Sequence, residues 1–155
     1  MLMHPLPRVL VLTALAILSG CAKINDYASW PLTSSIDAVA IVNAQLLQGE
    51  VKLVPDRTGR VTLSASQGAI TSCVGSLRFT GTTAGAIDLR CNDGSVADMQ
   101  FALLSEAKGY AYGQTASGPV SLTFGLPNAE ARAYLKVPAN RKLVEAGKDK
   151  KLELQ

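Results

Sequence analysis

Histidine is almost absent from this chain of 155 residues, and aromatic residues are few: three Phe, four Tyr and one Trp. The one histidine, His4, lies in an N-terminal stretch with the character of a removable leader. A mature chain without histidine excludes Ser-His-Asp and Cys-His catalysis and every His-ligated metal site. No serine sits in a G-x-S-x-G elbow. Charged residues make up 17% of the chain and leave a net charge of +3. The basic residues are scattered until the C-terminal tail rather than gathered on one stripe, which excludes a nucleic-acid partner. What is present is 48% hydrophobic residues in a length suited to one modest domain, not a disordered or collagen-like chain.

The leader carries one positive charge, Arg8, ahead of the mostly apolar run Val9 to Leu18. A membrane-spanning helix needs about 20 apolar residues. This run is half that and gives way at once to small and then polar residues, the pattern of a signal-peptide core. It closes on Leu18-Ser19-Gly20-Cys21. Here the sequence resembles bacterial lipoprotein precursors, whose lipobox sets a branched apolar residue and two small residues before an invariant cysteine. The resemblance implies cleavage after Gly20, a diacylglyceryl group on Cys21 and acylation (palmitate) of the new amino terminus. Two or more acyl chains, at about 0.8 kcal/mol per buried CH₂, make anchoring effectively permanent. Enteric lipoproteins with aspartate after the cysteine stay in the inner membrane. Ala22 here implies an outer-membrane protein, lipid-anchored on the periplasmic side.

Four segments follow: 1–20 signal peptide, 21–35 lipid anchor and tether, 36–137 β domain, and 138–155 a basic, solvated, flexible tail. Tyr27 and Trp30 in the tether have two homes, the headgroup level of a membrane or the surface of the domain. Ile36, Val39, Ala40, Leu46 and Leu47 recur at helical spacing behind a Ser34-x-x-Asp37 capping box. Alternating Ala38, Ala40, Val42, Ala44 and Leu46 also fits a strand, and a short N-terminal helix is the reading taken. From Gly49 the pattern is β. Val51 and Leu53, Val61, Leu63 and Ala65, Ile87, Leu89 and Cys91, and Val120, Leu122 and Phe124 alternate with polar residues. Turn-forming stretches separate them, from Pro55 to Gly59, at Gly81 to Gly85, Asn92-Asp93-Gly94, Lys108-Gly109 and Ser117-Gly118. Strands are expected near 50–54, 60–66, 70–80, 85–91, 96–104, 109–115, 119–125 and 131–137. Short alternating strands with regular turns point to an all-β antiparallel meander of about eight strands, a small barrel or a two-sheet sandwich.

Once lipidation consumes Cys21, Cys73 and Cys91 remain, and in the oxidising periplasm they are expected to form a disulfide. Their spacing lacks the C-x-x-C form of a redox-active pair. Asp88, Asp93, Asp98 and Glu106 are the candidates for paired carboxylates, but Asp93 is explained by its turn and Asp88 by the polar face of a strand. No calcium loop is completed around Asn92 and Asp93. No metal, cofactor or catalytic set is therefore assigned. Gly109-Tyr110-Ala111-Tyr112-Gly113 puts two tyrosines on one strand face, and Tyr110 and Tyr112 are the candidate contact surface, given the enrichment of tyrosine in interfaces.

The segments around Cys73-Val74-Gly75, Leu89 to Gly94, Gly109 to Gly113 and Leu122 to Gly125 resemble small β-rich bacterial envelope lipoproteins without an assigned activity, over about residues 49 to 126. The chain is also similar to membrane-bound lysozyme inhibitors of the C type, themselves lipid-anchored β-barrels with a disulfide. Their inhibitory loop reads Ser-Gly-Ser-x-Tyr, where this chain has Ser117-Gly118-Pro119-Val120-Ser121. The expected function is a non-enzymatic, lipid-anchored envelope protein that binds an envelope protein or polymer or serves as an accessory subunit. The alternative is a periplasmic inhibitor of a hydrolase such as lysozyme.

Overall fold

The structure, a computed structural model, describes residues 33–155. Cys21, Tyr27, Trp30 and the leader lie outside the described residues. Eight antiparallel strands form a closed barrel in simple sequence order: β1 (Ser34–Val42), β2 (Gln45–Val54), β3 (Thr58–Ser64), β4 (Ser72–Phe79), β5 (Ala84–Cys91), β6 (Val96–Ser105), β7 (Lys108–Thr115) and β8 (Gly118–Phe124). The ladder closes where β8 returns to β1, pairing Ala38 with Phe124 and Val42 with Val120. Of the two architectures left open by the sequence, the chain adopts the barrel.

The barrel is a solid body. Inward residues from all eight strands form one cluster, in which Ala40, Val42, Leu47, Val51, Val61, Met99, Val120 and Leu122 have no exposed surface. An eight-stranded barrel has just enough interior for side chains, and large residues fit here because glycines face them. Gly85 is the cross-strand partner of Phe101 and Gly109 of Phe124. A Cβ at Gly109 would fall 2.5 Å from Phe124 Cζ, and one at Gly85 would fall 2.3 Å from Phe101 Cε1. Both glycines belong to strands, at the starts expected near 85 and 109. Phe79, Phe101 and Phe124 meet edge to face inside, with centroids 5.1 and 6.4 Å apart.

The segment 36–48 is not helical. It is the hairpin of β1 and β2, turning at Asn43 and Ala44 with φ of 48° and 64°, the two positive values of a type I′ turn. Ala38, Ala40 and Val42 point into the barrel, as the alternation allows, while Val39 and Ile41 belong to a second apolar cluster outside it. A strand buried on both faces loses its period of two, and this is why helical spacing was legible there.

That second cluster is built by the C-terminal residues. After Pro127 the chain forms α1 (Asn128–Tyr134) where a strand was expected at 131–137, then a hairpin of β9 (Leu143–Ala146) and β10 (Lys151–Leu154) within the stretch expected to be a flexible tail. The alanine-rich Asn128-Ala-Glu-Ala-Arg-Ala-Tyr favours a helix. The helix ends where Leu135 turns extended. Ala131, Leu135, Leu143 and Leu152 bury themselves on Ile41, with Val39 and Leu46 at the edge. Gln48 Nε2 donates to Leu152 O at 2.6 Å, and Lys136 N donates to Ser121 Oγ at 2.9 Å. The layer thus straddles β2, β1 and β8. At about 1.5–3 kcal/mol for each fully buried leucine, a few apolar residues suffice to order a segment whose other positions are charged. Among the described residues the two clusters span Ile36 to Leu154, and residues 34–155 form one compact unit.

Cys73 and Cys91 are direct cross-strand partners on β4 and β5 and are joined by a disulfide, with Cα atoms 4.0 Å apart. Replacing both by serine should cost about 3 kcal/mol on the chain-entropy estimate and lower Tm by roughly 10 °C, with the far-ultraviolet circular dichroism unchanged. Alkylation of the unreduced protein followed by mass measurement checks the bond, and two labelled thiols would disprove it. Leu152→Ala should destabilise the fold by about 3 kcal/mol in urea unfolding, the range for a buried leucine. A solvated tail would give a change within about 0.5 kcal/mol.

Candidate functional site

With the interior filled, the chemistry on offer is on the outer wall and at the two rims. Successive connections of the meander alternate between rims. One rim carries the turns at 43–44 and 92–95, the loop 65–71 and the turn at 116–117. Its polar groups are spent on one another. Ile70 is buried under the loop, and Gln45 holds that loop across the barrel mouth: Ile70 N donates to Gln45 Oε1 at 3.1 Å, and Gln45 Nε2 donates to Gln67 O at 2.8 Å and to Ile70 O. Asn92 Oδ1 accepts from Thr71 N and Ser72 N at 2.8 and 3.0 Å. Asn43 joins Ser95 and Thr115 across the rim. Ser117 N donates to Thr115 Oγ1 at 3.1 Å, and Thr115 Oγ1 donates to Gly118 O at 3.2 Å. The segment compared with an inhibitory loop is therefore a tight two-residue turn stitched to its neighbours.

The four candidate carboxylates occupy three places. Asp88 and Asp98 are cross-strand partners on the outer wall, and the Arg90 guanidinium lies 3.4 Å from Asp88 Oδ2. Asp93 sits in the β5–β6 turn, where Ser95 N–H and its hydroxyl donate to the carboxylate at 2.9 and 2.8 Å. These bonds hold its pKa below the usual value. Glu106 lies in the β6–β7 turn at the other rim.

Tyr110 and Tyr112 project from the outer face of β7, as their alternation with the buried Ala111 requires. Their rings lie 5.3 Å apart. The C-terminal layer adds two residues that the sequence pattern did not single out. Tyr134, the last residue of α1, stacks on Tyr110 with centroids 4.6 Å apart and planes at 20°. Lys136 Nζ stands 4.9 Å from the Tyr112 ring centre, within the range of a cation–π contact. Tyr134 and Lys136 were hidden because the stretch containing them was read as a strand. Together the four residues make a half-exposed aromatic surface along the edge where α1 meets the barrel. Burial, followed by the nearby Tyr110 and Tyr134 hydroxyls, raises the Tyr112 pKa above its ordinary 10.0, so it stays a neutral hydrogen-bonding phenol at any physiological pH.

Comparison with protein-family models, with curated proteins and with solved structures returns no match for the chain.

An absorbance titration checks the surface. Tyr112 should lose its proton at higher pH than an unperturbed tyrosine, and Tyr112→Phe should remove a late-ionising component. A raised folded-state pKa contributes stability that is complete below pH 10 and is lost as pH climbs through the folded value. The alkaline fall in stability of the wild type should accordingly be shallower in Tyr112→Phe.

Proposed function

We propose that the chain is the precursor of a lipid-anchored bacterial envelope protein, acting as a non-enzymatic binding or accessory module on the periplasmic side of the outer membrane. The observation that carries this reading is the sequence Leu18-Ser19-Gly20-Cys21, followed after a short polar stretch by a compact barrel that begins at Ser34. Cys21 takes the lipid, and Ala22 directs the mature protein to the outer membrane. The barrel supports a role in binding over one in catalysis because its interior is occupied by its own side chains, which leaves recognition to the exterior. The aromatic surface of Tyr110, Tyr112, Tyr134 and Lys136 offers ring faces and edges, phenol hydroxyls and one cation, and tyrosine is a residue enriched at interfaces with proteins. The partner is an envelope protein or polymer.

The deciding experiment is Cys21→Ala in a bacterial host. The variant should accumulate as an unprocessed precursor or appear in the soluble periplasmic fraction, and the wild type should be recovered with membranes carrying the mass of its acyl chains. Processing and membrane recovery equal to wild type in the variant would overturn the reading.

A further inference from the structure

The two rims differ in charge. At the rim described above, with turns at 43–44, 92–95 and 116–117, Asp93 is the one charged turn residue. The opposite rim is formed by the turns at 55–57, 80–83 and 106–107. Asn128 Nδ2 donates to Lys150 O at 2.7 Å, and Asn128 follows closely after β8 leaves the barrel at this rim. The bond therefore brings the turn between β9 and β10 to the same end. Six exposed cations collect there: Arg57, Arg78, Lys108, Lys148, Lys150 and Lys151. Among the described residues the ion-paired cations are Lys52, Arg90 and Arg132, so none of the six is neutralised by a salt bridge. Lys52 and Arg60 lie just behind them on β2 and β3, and the acids at this end are Asp37, its cross-strand partner Glu50, Asp56, Glu106, Glu130 and Asp149; Glu50 is paired with Lys52, and Asp56 accepts from Thr58 N at 3.0 Å. Leu104, 48% exposed, projects beside them near the end of β6. This is also the rim at which β1 begins, at Ser34, and a chain of this length puts Cys21 at most about 45 Å away.

We infer that this basic rim docks on anionic phospholipid headgroups, so that the barrel stands on the membrane with its Asp93 rim directed away from it and its tyrosine surface on the side wall. Charge complementarity and the point at which the chain enters the barrel favour a lipid surface as the occupant. The orientation rests on the proposed lipid anchor, whereas the headgroup affinity belongs to the barrel alone and is testable without the anchor. Each basic residue near an anionic surface raises partitioning about fivefold, and the attraction is screened by salt.

The test is sedimentation of residues 33–155 with vesicles of phosphatidylcholine, with and without phosphatidylglycerol. The barrel should bind the anionic vesicles, release in high salt, and ignore the neutral ones. Lys108→Gln with Lys148→Gln should lower anionic partitioning by about 25-fold. Arg90→Gln with Lys142→Gln, the same charge change away from this rim, should lower it less than about threefold. Circular dichroism confirms that both variants are folded. Equal losses from the two pairs, equal binding to both vesicle types, or binding to isolated cell-wall sacculi in place of vesicles would overturn the inference. Cys21 is absent from this protein, so a negative result leaves the lipid anchor standing, and a failure of the Cys21→Ala experiment leaves the headgroup affinity standing.

Discussion

The pairing of β8 with β1 is the constraint on which the rest of the molecule depends. Five residue pairs, from Ala38 with Phe124 to Val42 with Val120, turn a meander into a barrel. An open sheet of these eight strands would present two rows of unpaired backbone groups, a template for pairing with other chains. Closure removes both and fixes the radius, and at that radius the interior holds side chains and little else. The glycines opposite Phe101 and Phe124 follow from it, because a closed wall cannot move out to admit a ring. The C-terminal layer lies across this same seam. α1 and the β9–β10 hairpin bury Val39 and Ile41 of β1 and bond to Gln48 of β2 and Ser121 of β8. Opening the seam would therefore expose an apolar surface on each side of it.

The second half of β2 and the strands β3 to β8 were legible from alternation and turn residues, because their inward apolar residues alternate with polar ones; the first half of β2 was read with β1 as helical. The failures lie at β1 and at the C-terminal residues, and they are two sides of one interface. β1 carries apolar residues on both faces, so its period of two was blurred into helical spacing. The tail has few apolar residues because Leu143 and Leu152 need only complete a surface that β1 already offers. Neither segment states its structure alone. Strand alternation records burial against the barrel interior, while contact with a distant outer layer leaves no local periodicity.

Legibility at the surface follows the same line. Tyr110 and Tyr112 were readable as a pair on one face because Ala111 between them is small and faces inward. Tyr134 and Lys136 reach them from more than twenty residues away in sequence, from the end of a helix packed on the neighbouring strand β8 and the residues just after it. The disulfide was readable for a different reason: with Cys21 assigned to lipid, arithmetic leaves one pairing, and the meander sets Cys73 directly beside Cys91.

The described interior of the barrel is lined by its own apolar side chains, so the proposed recognition falls to an exposed and partly hydrated face, where single contacts are weak. An anchor changes what weak contacts achieve. Tethering converts an encounter into an intramolecular step with an effective concentration in the millimolar range for a short linker, so a surface of three tyrosines and a lysine needs only modest intrinsic affinity to remain engaged with a neighbour in the same membrane. The same arithmetic would apply to the basic rim under the proposed docking, where a pull on headgroups that is small per residue and screened by salt would suffice once an anchor prevents diffusion away. On the proposed reading, compactness and a lipid tether are complementary: the barrel supplies a rigid surface of fixed geometry, and the membrane would supply the concentration that a shallow surface lacks.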